Sequence, residues 1–281
     1  IGVRLVGSEM CIRDSYNIAM KEKRELLRFN VDIVNHCNLN CISCGHFSPL
    51  AKKEFLDPTE FEADCKRLNI LTGGQIERLE LMGGEPLLHP YLLDIMHIAR
   101  KYFRGQINIC TNGILVTEMS EEFFKVCSEL DIAIAITLYP IKLNWQKIEE
   151  LITKNKVNLI KVSTKNHNRR IWFKNHRDLS GNQNIETNFK KCRWGNNCII
   201  LEHGRLATCV MPFKTTYYNQ YYKVDTFKIS KSDSISIYEA ENISEILEFL
   251  SKPISACRYC LPDNDEMIEW KVSNKQIEEW S

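Results

Sequence analysis

Three cysteines near the beginning of the chain carry the clearest chemical signal. Cys37, Cys41 and Cys44 form the pattern C-x3-C-x2-C in one short loop, directly after a predicted strand. Three thiolates in one loop can hold three corners of a cuboidal [4Fe–4S] cluster. Zinc, which is more often bound by two separated C-x2-C arms, is the alternative. The spacing favours the cluster, and its fourth iron would then be open to a small molecule.

Four more cysteines lie in the second half of the chain. Cys192 and Cys209 flank a predicted hairpin, and Cys257 and Cys260 form a C-x2-C pair further on. Four thiolates can ligate every iron of a second cluster, which would leave no open iron for a substrate. A structural zinc site with four cysteines has the same appearance in sequence. We therefore predict a second metal centre and prefer [4Fe–4S] over zinc.

Glycines and short polar residues end the other predicted strands. The second strand ends in MGGEP, in which the glycines permit close approach to the backbone and the glutamate offers a carboxylate to an amine. The third strand ends in TNG, and the fourth ends in a threonine. The candidate cofactor-binding residues are therefore Gly83, Gly84, Glu85, Pro86, Thr111, Asn112 and Thr137.

Short apolar runs alternate with helical patterns between residues 29 and 163. Strands are predicted over 29–34, 78–82, 106–110, 132–138 and 157–163, and helices over 58–72, 91–103, 120–130 and 144–154. This alternation predicts βαβ units and a parallel sheet, and active sites lie at the carboxyl edge of such sheets. Five units are too few for a closed eightfold barrel, so we expect an open or partial barrel.

The pattern changes in the C-terminal part of the chain. Residues 166–188 are polar, and we predict a linker or irregular loop there. A hairpin is predicted over 198–210, with its turn at His203 and Gly204, and a helix is predicted near 243–250.

The composition excludes several classes of protein. With 44% hydrophobic and 26% charged residues, the chain is typical of folded soluble proteins. The net charge of +1 gives no argument for a nucleic-acid or membrane partner, and no apolar run reaches the roughly 18 residues of a spanning helix. We interpret residues 1–15, which contain LVGSEMCIRD, as a translated sequencing adapter. They do not have the order of a signal peptide, so we expect a cytoplasmic protein.

With these motifs in this order, the chain resembles the radical S-adenosylmethionine (radical SAM) superfamily over roughly residues 29–163. The resemblance implies an α/β fold with a partial (β/α)6, TIM-like barrel. It also implies that the open iron binds the amino and carboxylate groups of SAM, and that Glu85 contacts the amino group. In such enzymes the reduced cluster cleaves SAM to a 5′-deoxyadenosyl radical, which abstracts a substrate hydrogen. A flavodoxin- or ferredoxin-type electron donor is implied as a partner.

One position departs from the pattern of the superfamily. An aromatic residue usually precedes the third cysteine, and this chain has Ser43 there. We therefore expect the adenine contact to come from another residue, such as Phe47, and the ribose contacts to come from Asn112 and Thr137.

The downstream cysteines resemble the first part of a SPASM domain, the auxiliary-cluster domain of some radical SAM enzymes. No cysteine follows Cys260, so the resemblance implies the shorter twitch type with one auxiliary [4Fe–4S] cluster. We place the barrel at residues 16–190 and the twitch-like iron–sulfur subdomain at residues 191–281.

The leading hypothesis is a radical SAM oxidoreductase that dehydrogenates a small sugar or cyclitol alcohol, similar to the twitch-type dehydrogenase of an aminocyclitol. The auxiliary cluster would accept the electron released when the substrate radical becomes a ketone. One alternative is modification of a peptide or protein, for which we expect the chain before the barrel to be too short for a leader-binding module. The other alternative is a non-catalytic iron–sulfur or zinc protein for binding or electron transfer.

Overall fold

The computed structural model describes residues 28–163, 172–174, 176–192, 195, 198–264 and 266–281. The segment interpreted as a translated adapter, residues 1–15, lies outside the described residues. Within them the chain forms an α/β fold whose main sheet has eight strands, most of them parallel, as the sequence predicts.

The main sheet is built outward from the first strand. Its strands lie in the order β5-β4-β3-β2-β1-β7-β8-β9, and β1 to β5 are parallel to one another. The hairpin strand β7 is also parallel to β1, and β8 and β9 continue the sheet antiparallel. The strands are β1 Arg28–Val34, β2 Arg78–Gly83, β3 Gln106–Thr111, β4 Ile132–Thr137, β5 Leu159–Val162, β6 Trp172–Lys174, β7 Ile200–Glu202, β8 Arg205–Ala207, β9 Ile235–Ser236 and β10 Glu266–Ile268.

Helices connect the parallel strands at the predicted positions. The first helix begins after Asp57, whose carboxylate accepts hydrogen bonds from the backbone N–H groups of Thr59 and Glu60, and it ends at Gly73 in the left-handed region. The helices are α1 Pro58–Thr72, α2 Leu92–Tyr102, α3 Glu121–Glu129, α4 Trp145–Asn155, α5 Ile185–Lys191, α6 Met211–Tyr222 and α7 Ile243–Leu250. Among the described residues, no helix is long and apolar enough to cross a lipid bilayer.

Strand β1 has an apolar face and a polar face, and both are buried. Phe29, Val31 and Ile33 belong to the main hydrophobic core with the helices, while Asn30 and Asp32 alternate with them and are also buried. A buried polar row on one face of a sheet needs partners, and it provides a surface for polar ligands. Strand β4 is apolar and buried from Ile132 to Ile136, as its continuous apolar run predicts.

The prediction of an irregular linker over residues 166–188 is wrong in part. Strand β6 pairs with β10, and helix α5 begins at Ile185, where the side chain of Asn184 caps its first turn. The pairing of β6 joins segments about ninety residues apart, which a local sequence pattern does not reveal. Helix α6 was also not predicted, because its buried residues include Tyr217, Tyr218 and Thr215 rather than an aliphatic series.

A buried ion-pair network joins the C-terminal region to the first strand. The Lys214 ammonium of α6 lies 3.0 Å from Asp32 Oδ2 and 2.5 Å from Glu202 Oε2. The Lys214 and Asp32 side chains are each 1% exposed, and His46 Nδ1 lies 2.9 Å from the same Asp32 oxygen. Burial alone would raise the pKa of Asp32, but His46 and Lys214 lower it well below its usual range. The boundary at residues 190 and 191 stays a prediction, although β7 and α6 are both attached to β1.

Removal of the central charge tests this network. Replacement of Lys214 by Met leaves the buried Asp32 without the lysine ammonium group. We expect the free energy of unfolding to fall by about 3–5 kcal/mol. In urea unfolding followed by circular dichroism, the double variant Asp32→Asn/Lys214→Met should lose less than the sum of the two single variants. Lys125→Met, which removes an exposed ion pair with Glu129, is the control. Additive losses at Asp32 and Lys214 would contradict the network.

Candidate active site

The three N-terminal cysteines lie in one loop at the carboxyl end of β1. We call residues 35–47 the cluster loop. Cys41 is buried, and Cys37 and Cys44 are half-buried. Burial, with a contribution from the nearby Cys44, raises the pKa of Cys37 to about 11 and that of Cys41 to about 12. A metal centre displaces the protons of the thiols that bind it. These three cysteines, which stay protonated without a metal, can therefore serve together as its ligands.

The glycines at the end of β2 allow the cluster loop to approach its backbone. The backbone N–H of Gly84 donates to Val34 O at 2.7 Å, and the N–H of Glu85 donates to His36 O at 3.1 Å. A Cβ atom on Gly84 would lie 1.9 Å from His36 O, and one on Gly83 would lie 2.2 Å from Val34 O. The close approach seen here is therefore that of a neighbouring chain segment, whereas the sequence suggested that of a ligand.

Glu85 is fully buried and is held from both sides. Its Oε1 accepts hydrogen bonds from Thr111 Oγ1 at 2.7 Å and from Leu87 N at 3.1 Å, and its Oε2 accepts one from Asn112 N at 2.9 Å. Burial raises the pKa of Glu85 to about 7, although these three hydrogen bonds oppose the shift. A carboxylate in this position would gain from a cationic partner such as an ammonium group.

The end of β3 connects Glu85 to the cluster loop. The side-chain amide of Asn112 donates to Asn38 Oδ1 at 2.7 Å, and it lies 3.7 Å from Cys37 Sγ. The structure thus brings the predicted residues Glu85, Thr111 and Asn112 together beside Cys37. Pro86 begins a short turn that Glu85 caps.

Thr137 is the half-buried last residue of β4. It lies at the same edge of the sheet as Thr111, because Thr111 pairs with Ile136, the residue before Thr137.

One expectation for the cluster loop, that of Phe47, turns out differently. Phe47 is fully buried and its ring stacks on Trp280, with centroids 5.8 Å apart. Its ring also contacts Tyr218 and Phe227, so the prediction that it contacts adenine is wrong. Ser43, which replaces the usual aromatic residue, donates from its hydroxyl to Glu279 O at 2.6 Å. Residues from the C-terminal half of the chain therefore cover Ser43 and Phe47.

The four downstream cysteines form a second group. Burial raises the pKa of Cys209 well above its usual value, and the nearby Cys260, Cys257 and Cys192 raise it further. Burial raises the pKa of Cys257 to about 12, and Cys260 and Cys192 add to this shift. The fold therefore brings all four predicted sulfur ligands within electrostatic range of one another.

Backbone contacts organise the loops of this second group. The Asn188 side-chain amide donates to Cys257 O at 2.9 Å and to Cys260 O at 2.6 Å. The Gly195 N–H donates to Cys192 Sγ at 3.1 Å. Among the described residues, no three or more Cys, His, Asp or Glu side chains are arranged to hold a single metal ion. Both groups fit an iron–sulfur cluster because their donor atoms are cysteine sulfurs and because the cysteines of each group lie close to one another.

Comparisons with known proteins agree with this site. The Radical SAM superfamily model matches residues 31–190. The chain is 32% identical to the probable GTP 3′,8-cyclase of Thermoplasma volcanium over 36% of this chain and 30% of the relative. It is 30% identical to the GTP 3′,8-cyclase of Aquifex aeolicus over 50% of this chain and 43% of the relative. The chain thus spans less than half the length of these curated relatives.

A nucleotide-modifying relative and a solved structure are also similar. An S-adenosylmethionine-dependent nucleotide dehydratase from Thermoplasmatales archaeon (strain ISO4-H5) is 30% identical over 34% of this chain and 32% of the relative. The crystal structure of BtrN in complex with AdoMet and 2-DOIA superposes with a TM-score of 0.53 and 16% identity. That match covers 86% of this chain and 93% of BtrN, and it shows the shared fold.

The close approach at Gly84 can be tested by adding one methyl group. We expect Gly84→Ala to displace the cluster loop, because its Cβ would collide with His36 O. Iron bound per chain after anaerobic reconstitution should fall by about half, which corresponds to loss of one of two clusters. Gly45→Ala in the same loop is the matched control, since a Cβ there meets nothing within 4 Å. Equal iron contents in the two variants would contradict this role for Gly84.

The buried Glu85 predicts a specific pH dependence of stability. Its pKa is raised from 4.5 to about 7 in the folded protein, so between these values only the unfolded chain is ionised. The free energy of unfolding should therefore fall as pH rises through this window, by up to about 3 kcal/mol. Urea titrations of the metal-free protein at several pH values should show this fall relative to Glu85→Gln. Parallel curves for the two proteins would contradict the shifted pKa.

Proposed function

Because the chain belongs to the radical SAM superfamily, we propose that it is an oxidoreductase that dehydrogenates a sugar or cyclitol alcohol. Superfamily membership brings a [4Fe–4S] cluster and SAM as cofactors. Within the proposal, Cys37, Cys41 and Cys44 hold that cluster, and Glu85 receives the SAM amino group. When bound, these cofactors supply a 5′-deoxyadenosyl radical that takes a hydrogen atom from the substrate.

The observation that carries the proposal is the convergence of Cys192, Cys209, Cys257 and Cys260. Dehydrogenation of an alcohol removes two hydrogens and two electrons. The radical takes one hydrogen atom, a base takes the hydroxyl proton, and one electron remains to be accepted. A second cluster held by four thiolates, with no open iron, is suited to accept that electron. A rearrangement that returns its electron needs no such acceptor.

The chain's own residues prepare the SAM side of the site. Thr111 and Asn112 orient the Glu85 carboxylate through hydrogen bonds, and they keep it fully buried beside Cys37. A bound ammonium group would lower the pKa of Glu85 and hold it ionised. The low-dielectric surroundings strengthen this contact. A flavodoxin- or ferredoxin-type donor and a cytoplasmic location belong to the same proposal and stay predictions.

A second candidate is an enzyme that cyclises or dehydrates a nucleotide. The similarity to the GTP 3′,8-cyclases and to the nucleotide dehydratase favours it. These matches cover less than half of each relative, so the substrate of those proteins carries over only as a proposal. In this case the substrate would carry a triphosphate and a purine base.

One anaerobic assay distinguishes the two candidates. Reconstituted protein, SAM and a reductant are incubated with either a panel of sugars and cyclitols or a panel of nucleoside triphosphates, and 5′-deoxyadenosine is measured. We expect an alcohol to stimulate its formation and to yield a ketone. Stimulation by GTP alone, with a cyclised product, would replace the first candidate by the second. No SAM cleavage with any substrate would contradict both.

Two cysteine variants test the separate roles of the first and second cysteine groups. We expect Cys41→Ala to abolish SAM cleavage, because the first cluster loses a ligand. The variant Cys257→Ala/Cys260→Ala should still form 5′-deoxyadenosine but should yield at least tenfold less ketone, because the electron has no acceptor. Cys127→Ala, a change in the helical core, is the control. Full ketone yield without Cys257 and Cys260 would contradict the role of the second group.

A further inference from the structure

The C-terminal end of the chain runs alongside the cluster loop. We call residues 270–280 the C-terminal strap. The Ile42 N–H donates to Lys271 O at 2.9 Å, and the Ser273 N–H donates to Asn40 O at 2.8 Å. Between these bonds Cys41 and Val272 form an antiparallel bridge. The strap thus adds a short strand to the segment that contains the middle cysteine of the first group.

The far end of the strap is anchored on the same loop. The indole Nε1 of Trp280 donates to Cys44 O at 3.0 Å, and Ser43 Oγ donates to Glu279 O at 2.6 Å. The Glu279 carboxylate in turn accepts from Asn274 N at 2.7 Å, which closes the strap on itself. Both ends of the strap are therefore fixed to the cluster loop, one at residues 40–42 and the other at Ser43 and Cys44.

Trp270 places an unused hydrogen-bond donor at the first cysteine group. Its Nε1 is buried and has no hydrogen-bond partner of good geometry in the described part of the chain. The Trp270 and Tyr139 side chains lie close enough to the Cys41 thiol that hydrogen bonding from each lowers its pKa, against the larger effect of burial. The Tyr139 and Trp270 rings lie 6.2 Å apart. A buried donor without an acceptor is costly, so a sulfur that becomes negatively charged would satisfy it.

We infer that Trp270 is a positioning residue whose indole N–H donates a hydrogen bond to the Cys41 corner of the SAM-binding cluster and raises its reduction potential. The inference rests on the proposed function, since it needs the cluster at Cys37, Cys41 and Cys44. The strap pairing with residues 40–42 fixes where the indole lies.

The physical effect follows from charge. Reduction adds negative charge to the cluster, and a hydrogen bond to its sulfur stabilises the more negative state. Removal of the N–H should therefore make reduction harder. We expect about a tenfold change in the one-electron equilibrium constant, which corresponds to about 59 mV. Tyr139 remains near the same sulfur, so the cluster keeps one donor when Trp270 is changed.

The test is Trp270→Phe in the anaerobically reconstituted protein. The substitution keeps an aromatic ring and removes the N–H. A redox titration followed by electron paramagnetic resonance gives the potential, and the signal that SAM perturbs identifies the cluster concerned. We expect the midpoint potential of this cluster to become about 59 mV more negative, with the iron content unchanged. Trp145→Phe, at the start of α4, should leave the potential unchanged.

A second measurement uses the unaltered sequence. Protein labelled with ¹⁵N in the tryptophan indole is reconstituted, and electron–nuclear double resonance is recorded on the SAM-perturbed cluster. We expect a ¹⁵N coupling that persists in Trp280→Phe and disappears in Trp270→Phe. An unchanged potential in Trp270→Phe, or no ¹⁵N coupling in the labelled protein, would overturn the role of Trp270. Absence of any SAM-perturbed cluster in the wild-type protein would instead overturn the proposed function.

Discussion

The close contact between the end of β2 and the cluster loop determines the geometry of the candidate active site. Only because Gly83 and Gly84 have no side chains can the backbone of β2 bond to Val34 and His36. That contact places Glu85 in the interior beside Cys37, where the end of β3 holds it. The cluster loop and the Glu85 carboxylate are thus positioned by the same backbone contact.

The C-terminal half of the chain completes the site from the other side. Strand β7 extends the main sheet next to β1, and Lys214 of α6 fixes this arrangement through its buried pairs with Asp32 and Glu202. The strap then covers the cluster loop from Asn40 to Cys44. Segments next to the second cysteine group are therefore attached to the strand that precedes the first group.

Much of the fold and the site could be predicted from sequence, since the signals are local. The alternation of strands and helices and the hairpin at His203 are each determined within about ten residues, and the structure confirms them. The pairing of β6 with β10, the place of β7 beside β1 and the strap could not be predicted, because each depends on contacts between distant segments. Phe47 illustrates the same limit, since its partner Trp280 is more than two hundred residues away. The local sequence did not mark Trp270, because its position depends on the pairing of Val272 with the distant Cys41.

We expect three thiolates at the end of β1 to hold a cluster with an iron open to SAM. Mössbauer spectroscopy of protein reconstituted with ⁵⁷Fe measures this directly, because an iron that gains nitrogen and oxygen ligands changes its isomer shift. We expect about eight irons per chain, one of which changes when SAM is added, and no such change in Cys41→Ala. Iron confined to the downstream cysteines, or a spectrum that SAM leaves unaltered, would contradict it.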